Sequence, residues 1–438
     1  MKKSNKIKKI TILVLAISFC SLSIAPVFSN NIASSKGNDE IFLPQPEIID
    51  MKLEETIFRR MSIREYTDEP ISDEDLSTIL YAGFGLREDG KHTVAGLDNI
   101  NAAVLYVIRE DGAYKYNPEN HSLVFYKSGN WLDRVGWQYK TANILIGLCW
   151  KKDLAEPNFA GVELGEIGQN IAFAANSLEI GTVVTGEVPP AIDKMGIPDD
   201  ENGMIIMYMG HPAHPYNFVY RPWWFSLLPR VEKSSMSFSE AIENRIESTS
   251  FSGKLSRFES SQILWASYGF SYNIDKSKQE FTMIKRHRTV PSGHGYYPLH
   301  IFAVTKNAVY RYYPSMLVNL YEVPVDFLGL PIISFLFPKS IGDKREIIAQ
   351  ASSLTSISTA PLSLIIVLDL DLAKELSDPM FHRFWYFEAG AAAHNVMLES
   401  TALGLKHNIA YPIDEGVFST QLKLNENQIP LLILPIGK

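Results

Sequence analysis

One pattern of residues occurs twice along this chain of 438 residues, and the repeat constrains the fold more than any other feature. The matching blocks follow the same order in both copies. They are Ile79–Ala82 with Ile263–Ala266 (offset 184), Thr93-Val94 with Thr289-Val290 and Tyr114–Pro118 with Tyr310–Pro314 (offset 196), and Glu163, Gly165 and Asn170 with Glu388, Gly390 and Asn395 (offset 225). Four blocks in one order indicate an internal duplication. The step from 196 to 225 places 29 additional residues in the second copy, between Pro314 and Glu388.

Each copy predicts the same succession of helices and strands. In the first copy a helix near 72–84 is followed by strands near 103–108 and 143–149, a long helix over 162–178 and a strand near 204–209. The counterparts in the second copy are 259–269, 300–305, 362–368, 385–403 and 431–435. This mixture predicts an α+β fold, with a mixed or antiparallel sheet flanked by helices in each copy.

The repeat also predicts how the chain is divided. We expect one domain over residues 50–230 and a second over 231–438. Two homologous halves are expected to pack as the subunits of a homodimer do, about a two-fold axis. The chain would then be a monomer that forms an intramolecular pseudo-dimer, with the long helices at the interface.

The first residues of the chain are typical of a secretory signal. Five lysines precede an apolar stretch from Ile10 to about Ile24, and Ser29 supplies the small residue of a cleavage site. We therefore predict a signal peptide over 1–29, a linker over 30–49, and a secreted or extracytoplasmic protein. An uncleaved membrane anchor is the alternative. After cleavage only Cys149 remains, in an apolar run that predicts a buried structural thiol.

Composition excludes two classes of partner. The net charge is −8 and no large basic block is present, which argues against nucleic-acid binding. His294, the histidine of a glycine-containing loop, has no cluster of metal-ligand residues around it in sequence, so no metal site is predicted. A small molecule is the expected substrate.

Two segments could bind a ligand with an anionic group. If residues 60–64 are extended, Arg60, Ser62 and Arg64 share one face, and guanidiniums on both sides of a hydroxyl suit a phosphate. In the second copy, Pro291-Ser292-Gly293 lies in a short loop whose backbone could approach a flat ligand closely. Taken singly, the Arg60–Arg64 segment is better explained as a solvated basic turn, and the loop could simply be a turn that leads into a strand.

Taken together, these motifs resemble the nitroreductase superfamily, and within it the SagB-type dehydrogenases. The likeness rests on Arg-x-Ser-x-Arg, the Pro-Ser-Gly loop that leads to Tyr-Pro and a strand, the Tyr-basic-Tyr hairpin and the Gly-x-x-x-x-Asn helix. It covers nearly all of residues 50–438. The resemblance implies FMN bound at a two-fold interface, with hydride transfer through the N5 atom of the flavin.

The resemblance assigns one FMN site to residues from both copies. In such proteins the Arg-x-Ser-x-Arg segment and a later basic residue hold the phosphate, and here these are Arg60, Ser62, Arg64 and, as a candidate, Arg221. The loop from the other copy, Pro291, Ser292 and Gly293, would lie along the flavin. Val184-Thr185-Gly186-Glu187 resembles the segment that presents its backbone to the flavin ring. No catalytic acid or base is predicted.

A two-fold arrangement would also create a second, mirror-image site, formed by the arginine segment of the second copy and the loop of the first copy. This second site lacks the features just described. Arg245 matches Arg60, but Glu247 and Thr249 replace Ser62 and Arg64. Ala95-Gly96-Leu97 replaces the Pro-Ser-Gly loop, and no residue that follows Gly437 matches Arg221. All the losses fall on one of the two sites, so the sequence predicts a single complete site per chain.

Two interpretations of the function follow. The first is an exported FMN-dependent oxidoreductase of the nitroreductase and SagB type. The alternative is a non-catalytic extracytoplasmic module that binds FMN or another flat ligand. The apolar segment Tyr321–Phe337 in the insertion is a candidate lid, membrane-facing patch or packing element.

Overall fold

Two antiparallel sheets, each formed by one half of the chain, organise the fold. The structure is a computed structural model, and it describes residues 40–98, 100–188, 190–214, 227–271, 288–314 and 334–438. Every strand pair of the two sheets is antiparallel, so of the two expected sheet types the antiparallel one is found within these ranges.

The first sheet contains seven strands in the order β1-β4-β3-β2-β5-β7-β6. They are β1 (Glu40–Phe42), β2 (Ala103–Ile108), β3 (Gly112–Asn117), β4 (Ser122–Ser128), β5 (Ile144–Lys151), β6 (Gly181–Gly186) and β7 (Glu201–Gly210). The edge strand β1 lies inside the segment that the sequence predicted to be a linker.

The second sheet contains six strands in the order β10-β9-β8-β11-β13-β12. They are β8 (Leu299–Thr305), β9 (Ala308–Tyr313), β10 (Phe335–Ile341), β11 (Leu362–Asp369), β12 (Lys406–His407) and β13 (Gln428–Gly437). The strands β2 to β7 correspond in chain order to β8 to β13. With this matching, the strand order of the second sheet is the same as that of the first sheet without β1. The register agrees as well, because Tyr106 pairs with Lys115 and Phe302, 196 positions later, pairs with Arg311.

Ten α-helices accompany the sheets in the described residues. They are α1 (Leu53–Arg59), α2 (Asp73–Phe84), α3 (Leu132–Val135), α4 (Pro157–Ser177), α5 (Phe238–Glu243), α6 (Arg257–Tyr268), α7 (Arg345–Gln350), α8 (Leu370–Ala373), α9 (His382–Ala402) and α10 (Glu415–Leu422). The two long helices begin three to five residues before the predicted starts. The residue that could have indicated the true start of α4 is Pro157, because proline suits the first helical position, where it has no N–H to satisfy.

The long helices α4 and α9 pack against each other between the two sheets. Both are buried along almost their whole length, which explains why neither has a polar face. They approach closely at two glycines: a Cβ on Gly165 would lie 2.1 Å from the carbonyl oxygen of Phe387, and one on Gly390 would lie 2.1 Å from that of Val162. The two contacts are reciprocal, since Val162 and Phe387 are counterparts at the same offset of 225 as the glycines.

The outer faces of the sheets carry further apolar clusters. In the first sheet this cluster includes Cys149, which is fully buried, and burial raises the pKa of its thiol. The prediction of a buried structural thiol is therefore confirmed. No helix among the described residues is both long enough and apolar enough to span a bilayer.

Candidate functional site

The Arg60–Arg64 segment follows α1 as an extended chain beside β6. Ser62 forms a parallel bridge with Thr182, and Ile63 N–H donates to the Thr182 carbonyl at 2.8 Å. Met61 and Ile63 are buried in the outer cluster of the first sheet. Alternation along the extended chain then places Arg60, Ser62 and Arg64 on the opposite face, as the sequence predicted.

These three side chains differ in exposure. Arg60 is 2% exposed, and its Nη2 donates to the carbonyl oxygen of Arg288, in the second half, at 3.1 Å. Ser62 is half-buried, while Arg64 is exposed and donates from Nη1 to the Ser62 carbonyl at 3.3 Å. The segment therefore runs from the interface between the halves outward to solvent.

The end of β6 lies against the first turn of α9. A Cβ on Gly186 would lie 2.7 Å from the ring of Phe384, so any side chain there would require that ring to move. Thr185 Oγ1 donates to the Ile206 carbonyl at 3.2 Å. Glu187 accepts from the Ala191 N–H at 3.1 Å, and burial raises the pKa of its carboxyl.

The Pro291-Ser292-Gly293 loop packs on the same helix. Ser292 Oγ accepts from the Tyr297 N–H at 2.8 Å, and a Cβ on Gly293 would lie 3.6 Å from the Trp385 ring. Pro291 and Ser292 are half-buried, and Gly293 is exposed. Tyr297 has a φ of 50°, a left-handed conformation that a bulky residue keeps only when its surroundings hold it.

Arg60 and Ser292 converge on one buried carboxyl, that of Glu388 on α9. Glu388 is 2% exposed, and burial raises its pKa to about 7. Ser292 and Tyr268, through their hydroxyls, and the guanidiniums of Arg288 and Arg60 act against burial and lower this pKa. The structure thus brings the arginine of the first half and the serine of the second half to a common point. Sequence reasoning used Glu388 only as a repeat marker and missed this placement.

The mirror-image position shows the reciprocal arginine contact with a different neighbour. Arg245 is 1% exposed and donates from Nη2 to the His92 carbonyl at 3.2 Å. Arg60 makes the matching contact with the carbonyl of Arg288, which is the counterpart of His92. The carboxylate of Glu247 accepts from Arg245 Nη1 and lies 3.3 Å from Lys91 Nζ. Glu247 is the counterpart of Ser62, so in the second half a carboxylate of the chain itself binds the arginine guanidinium.

A second carboxylate binds the loop of the mirror-image position. Glu166 on α4 accepts from the N–H groups of Ala95 and Gly96 at 2.7 and 3.2 Å. These amides belong to the loop that replaces Pro291-Ser292-Gly293. The counterpart of Glu166 at offset 225 is Ala391, which has no polar group to offer. The signal that could have identified Glu166 is an acid in a long, mostly apolar helix that is matched by alanine in the other copy.

Two amides of helix α4 bind buried backbone carbonyls. Asn170 Nδ2 donates to the Ala82 carbonyl at 2.8 Å, and Gln169 Nε2 donates to the Thr289 carbonyl at 2.8 Å. In addition, Gln169 donates to Asn395 Oδ1 at 2.9 Å while His394 Nε2 lies 2.7 Å from Asn170 Oδ1, another reciprocal pair.

Some predicted features lie outside the described residues. These are Arg221, the signal segment 1–29 and the larger part of the insertion segment, of which only residues 334–337 are described. Within the described ranges no three His, Cys, Asp or Glu side chains are grouped so that they could hold a metal ion.

The fold and the arrangement of these residues define an α+β protein built from two matched antiparallel sheets around a central helix pair. The chain belongs to the nitroreductase family, whose sequence pattern matches residues 57–211 and 253–438. It is therefore a nitroreductase-family oxidoreductase. A protein from Methanocaldococcus jannaschii described as a nitroreductase is 29% identical over 172 residues, which cover 34% of this chain and 85% of that protein.

Solved structures extend the comparison. A protein from Anabaena variabilis described as a nitroreductase matches with a TM-score of 0.62 at 12% identity and covers 93% of both chains, which shows the fold alone. A protein from Desulfovibrio desulfuricans of the same description, solved in complex with FMN, is 23% identical. It covers 39% of this chain and 91% of its own, and at a TM-score of 0.30 the likeness carries no structural argument.

Proposed function

We propose that this chain is an FMN-dependent oxidoreductase that binds one FMN between its two halves. Membership of the nitroreductase family supports a flavin as the cofactor. The presence of FMN in one similar protein agrees with this choice. When bound, FMN would supply hydride transfer through its N5 atom, and the protein would bind, orient and shield it.

The chemistry of the residues fits FMN. Arg60, Ser62 and Arg64 lie on one face and offer guanidinium and hydroxyl donors, the groups that bind a phosphate. A Cβ on Gly186 would meet the ring of Phe384, so this position is kept without a side chain, and its exposed backbone, with that of Glu187, would face the flavin ring. Pro291, Ser292 and Gly293 would lie along the flavin from the other half. Arg221 is proposed as a further phosphate ligand on sequence grounds alone.

The observation that carries the single-site proposal is the difference between matched positions. In the mirror-image position Glu247 pairs with the buried Arg245, and Glu166 holds the amides of Ala95 and Gly96. Adding a phosphate beside Glu247 would bring like charges together in a poorly solvated place, which is strongly unfavourable. The counterparts Ser62 and Ala391 bring no such charge to the first position.

Reciprocal contacts support the proposal that the chain is a duplicated pseudo-dimer. A two-fold interface requires that if one residue contacts a second, their counterparts make the same contact in reverse. This holds for Gly165 with Phe387 and Gly390 with Val162. It also holds for the bridges Ser62 with Thr182 and Glu247 with His407. Domains over 50–230 and 231–438 are proposed on this basis.

Two finer assignments rest on sequence. The ordered motifs favour the SagB-type dehydrogenases within the family. The lysine-rich start and apolar stretch favour export with cleavage after residue 29, and a mass measurement on protein from the medium or the membrane fraction would test it. A mass that retains the first 29 residues would contradict cleavage and favour the anchor.

An absorption spectrum of the purified protein tests the enzyme proposal. We expect a yellow protein that releases FMN on denaturation, bleaches with dithionite and recovers its colour in air. A colourless protein that fails to bind added FMN would contradict the proposal. A protein that binds FMN, but whose flavin no nicotinamide donor, quinol or azoline reduces, would instead favour the non-catalytic binding module.

A further inference from the structure

Glu163 and Glu388 occupy matched positions on the two central helices but have different partners. In the first half, Glu163 Oε2 accepts from the N–H of Ala102 at 3.0 Å. The counterpart of Ala102, at offset 196, is Pro298. Proline has no N–H, so Glu388 cannot form the hydrogen bond that satisfies its twin.

A second exchange supplies Glu388 with another donor. Phe84 at the end of α2 corresponds to Tyr268 at the end of α6, and the hydroxyl of Tyr268 donates to Glu388 Oε1. The same hydroxyl oxygen accepts from the Leu299 N–H at 3.3 Å. Two substitutions between the halves thus move a buried carboxyl from a backbone partner to a phenol.

The other oxygen of this carboxyl has no such partner. Glu388 Oε2 is buried and has no hydrogen bond of normal geometry from the part of the chain that the structure describes, and the same is true of Glu163 Oε1 in the first half. A buried carboxyl oxygen without a donor is unfavourable, and such atoms often mark a place where a ligand or proton is held. Ser292 lies beside this carboxyl, while its own Oγ accepts from the Tyr297 N–H.

Charged and titratable groups face Glu388 from both halves. Tyr268 comes from α6, Arg288 and Tyr297 flank the Pro291-Ser292-Gly293 loop, and Arg60 comes from the first half. The Tyr268 hydroxyl is committed to Glu388, and the Arg288 guanidinium lies 4.3 Å from the centre of the Tyr268 ring. Glu388 is therefore the carboxyl through which both sides of the proposed FMN site interact.

We propose that Glu388 is a positioning residue whose protonation state determines what the Ser292 hydroxyl and the Arg60 guanidinium can bind. FMN then binds more tightly when Glu388 is protonated. This inference rests on the proposed FMN site and deepens it. An ionised Glu388 attracts the Ser292 O–H, which leaves Ser292 as an acceptor, and it competes with a phosphate for Arg60. A protonated Glu388 frees the Ser292 O–H to donate to a flavin oxygen and leaves the charge of Arg60 to the phosphate.

FMN titrations between pH 6 and pH 9 test the coupling, with flavin fluorescence as the readout. For the wild-type protein we expect the Kd for FMN to rise several-fold, up to about tenfold, from pH 6.5 to pH 8.5, which corresponds to about 1.4 kcal/mol at most. Glu388→Gln should remove most of this dependence. Glu163→Gln, the matched change in the first half, should keep it. The second ionisation of the FMN phosphate, near pH 6, affects all variants alike.

The outcomes separate this inference from the proposed function. No binding of FMN by the wild-type protein at any pH would contradict the FMN site itself. Binding with the same pH dependence in wild type and Glu388→Gln would overturn the role of Glu388 alone. If circular dichroism shows that Glu388→Gln is unfolded, Ser292→Ala replaces it: a weakened pH dependence supports the coupling, and an unchanged one overturns it.

Discussion

At the scale of single residues, two arginines in equivalent places have been given different neighbours. Arg60 and Arg245 each donate to a backbone carbonyl of the other half, at 3.1 and 3.2 Å. Only Arg245 has a carboxylate two residues later that accepts from its guanidinium. In the single-site proposal, the chain keeps the architecture of two sites while one of them lacks the phosphate-binding chemistry.

Arg64 offers the cleanest test of the phosphate assignment because it is exposed. Arg64→Ala should weaken FMN binding about 10- to 100-fold, since a hydrogen bond between charged groups contributes about 1.5–3 kcal/mol. The melting temperature should change little, because the only hydrogen bond described for its side chain is to the Ser62 carbonyl. The measurement is an FMN titration together with a thermal melt.

Thr249→Ala is the matched control for that experiment. Thr249 is the exposed counterpart of Arg64 in the second half, and we expect its replacement to leave the Kd for FMN unchanged. Equal losses of affinity in the two variants would contradict the single-site proposal. Arg245→Ala is a poorer control, because it would remove the arginine partner of the half-buried Glu247 carboxylate.

The buried carboxyl of Glu163 should make stability depend on pH. Burial raises its pKa to about 8, above the value near 4.5 expected when the chain is unfolded. Below pH 4.5 both states are protonated; as the pH rises towards 8, only the unfolded state ionises, so the free energy of unfolding falls. Glu163→Gln removes this contribution, which is on the order of 2 kcal/mol if part of the shift is realised.

Denaturant unfolding at pH 5 and pH 8 measures this effect. The wild-type protein should lose more stability between these two values than Glu163→Gln does. An equal loss would show that Glu163 does not titrate in this range. Asp68→Asn, at an exposed position, controls for the removal of a negative charge from the surface.

Residue patterns in the sequence were informative where alternation or pairing determined the position. The face shared by Arg60, Ser62 and Arg64 followed from an extended chain. The carboxyls of Glu166 and Glu388 could not be assigned, because their partners come from a loop or helix more than 70 residues away in the chain. Only the folded chain shows which backbone amides or hydroxyls lie beside them.

At the scale of elements, the two long helices connect the halves. Their approach depends on Gly165 and Gly390, where a Cβ would meet a carbonyl oxygen of the other helix at 2.1 Å. Backbone atoms in a packed helix pair cannot move as a flexible side chain can. The spacing of the helices is therefore fixed by these two residues, and so is the separation of the segments that form the proposed site.

Alanine at either glycine should consequently destabilise the protein. We expect Gly165→Ala and Gly390→Ala each to reduce the free energy of unfolding by about 1–3 kcal/mol, the usual effect of overpacking, or more if the helices separate. The two values should be similar because the contacts are reciprocal. Denaturant unfolding followed by circular dichroism measures them.

Gly416→Ala provides the comparison for a glycine inside a helix without tight packing. Gly416 lies in α10, and the nearest atom to an added Cβ is a side-chain oxygen of Asp414 at 3.3 Å. This change should be neutral or stabilise by up to about 1 kcal/mol. A similar small effect at Gly165 and Gly390 would show that the helix contact is less tight than the structure indicates.

Most elements could be predicted from sequence because apolar periodicity marks them. Strand β2 was predicted with its observed limits, and α2 began one residue from its predicted start. The edge strand β1 was not predicted, since its three residues pair with β4 only through tertiary contact. The start of α9 was predicted too late because its first three residues, His382–Phe384, have no helical apolar pattern.

At the scale of the whole molecule, the two matched sheets explain how a single chain could provide a site that otherwise requires two subunits. The proposed site takes residues from both halves, and the Glu388 carboxyl interacts with Arg60 of the first half and Ser292 of the second. The strand order is the same in both sheets apart from β1, so the sequence repeat and the topology agree. In such an arrangement, a residue needed for the site in one half can be replaced at the matched position of the other half, as Ser62 is by Glu247.

The number of FMN molecules bound per chain tests this account most directly. Purified protein, stripped of flavin and titrated with FMN at pH 7, should saturate at one FMN per chain, and Arg64→Ala should lower the affinity without changing that endpoint. Saturation at two FMN per chain would contradict the closure of the mirror-image position by Glu166 and Glu247, and failure to bind FMN would contradict the site itself.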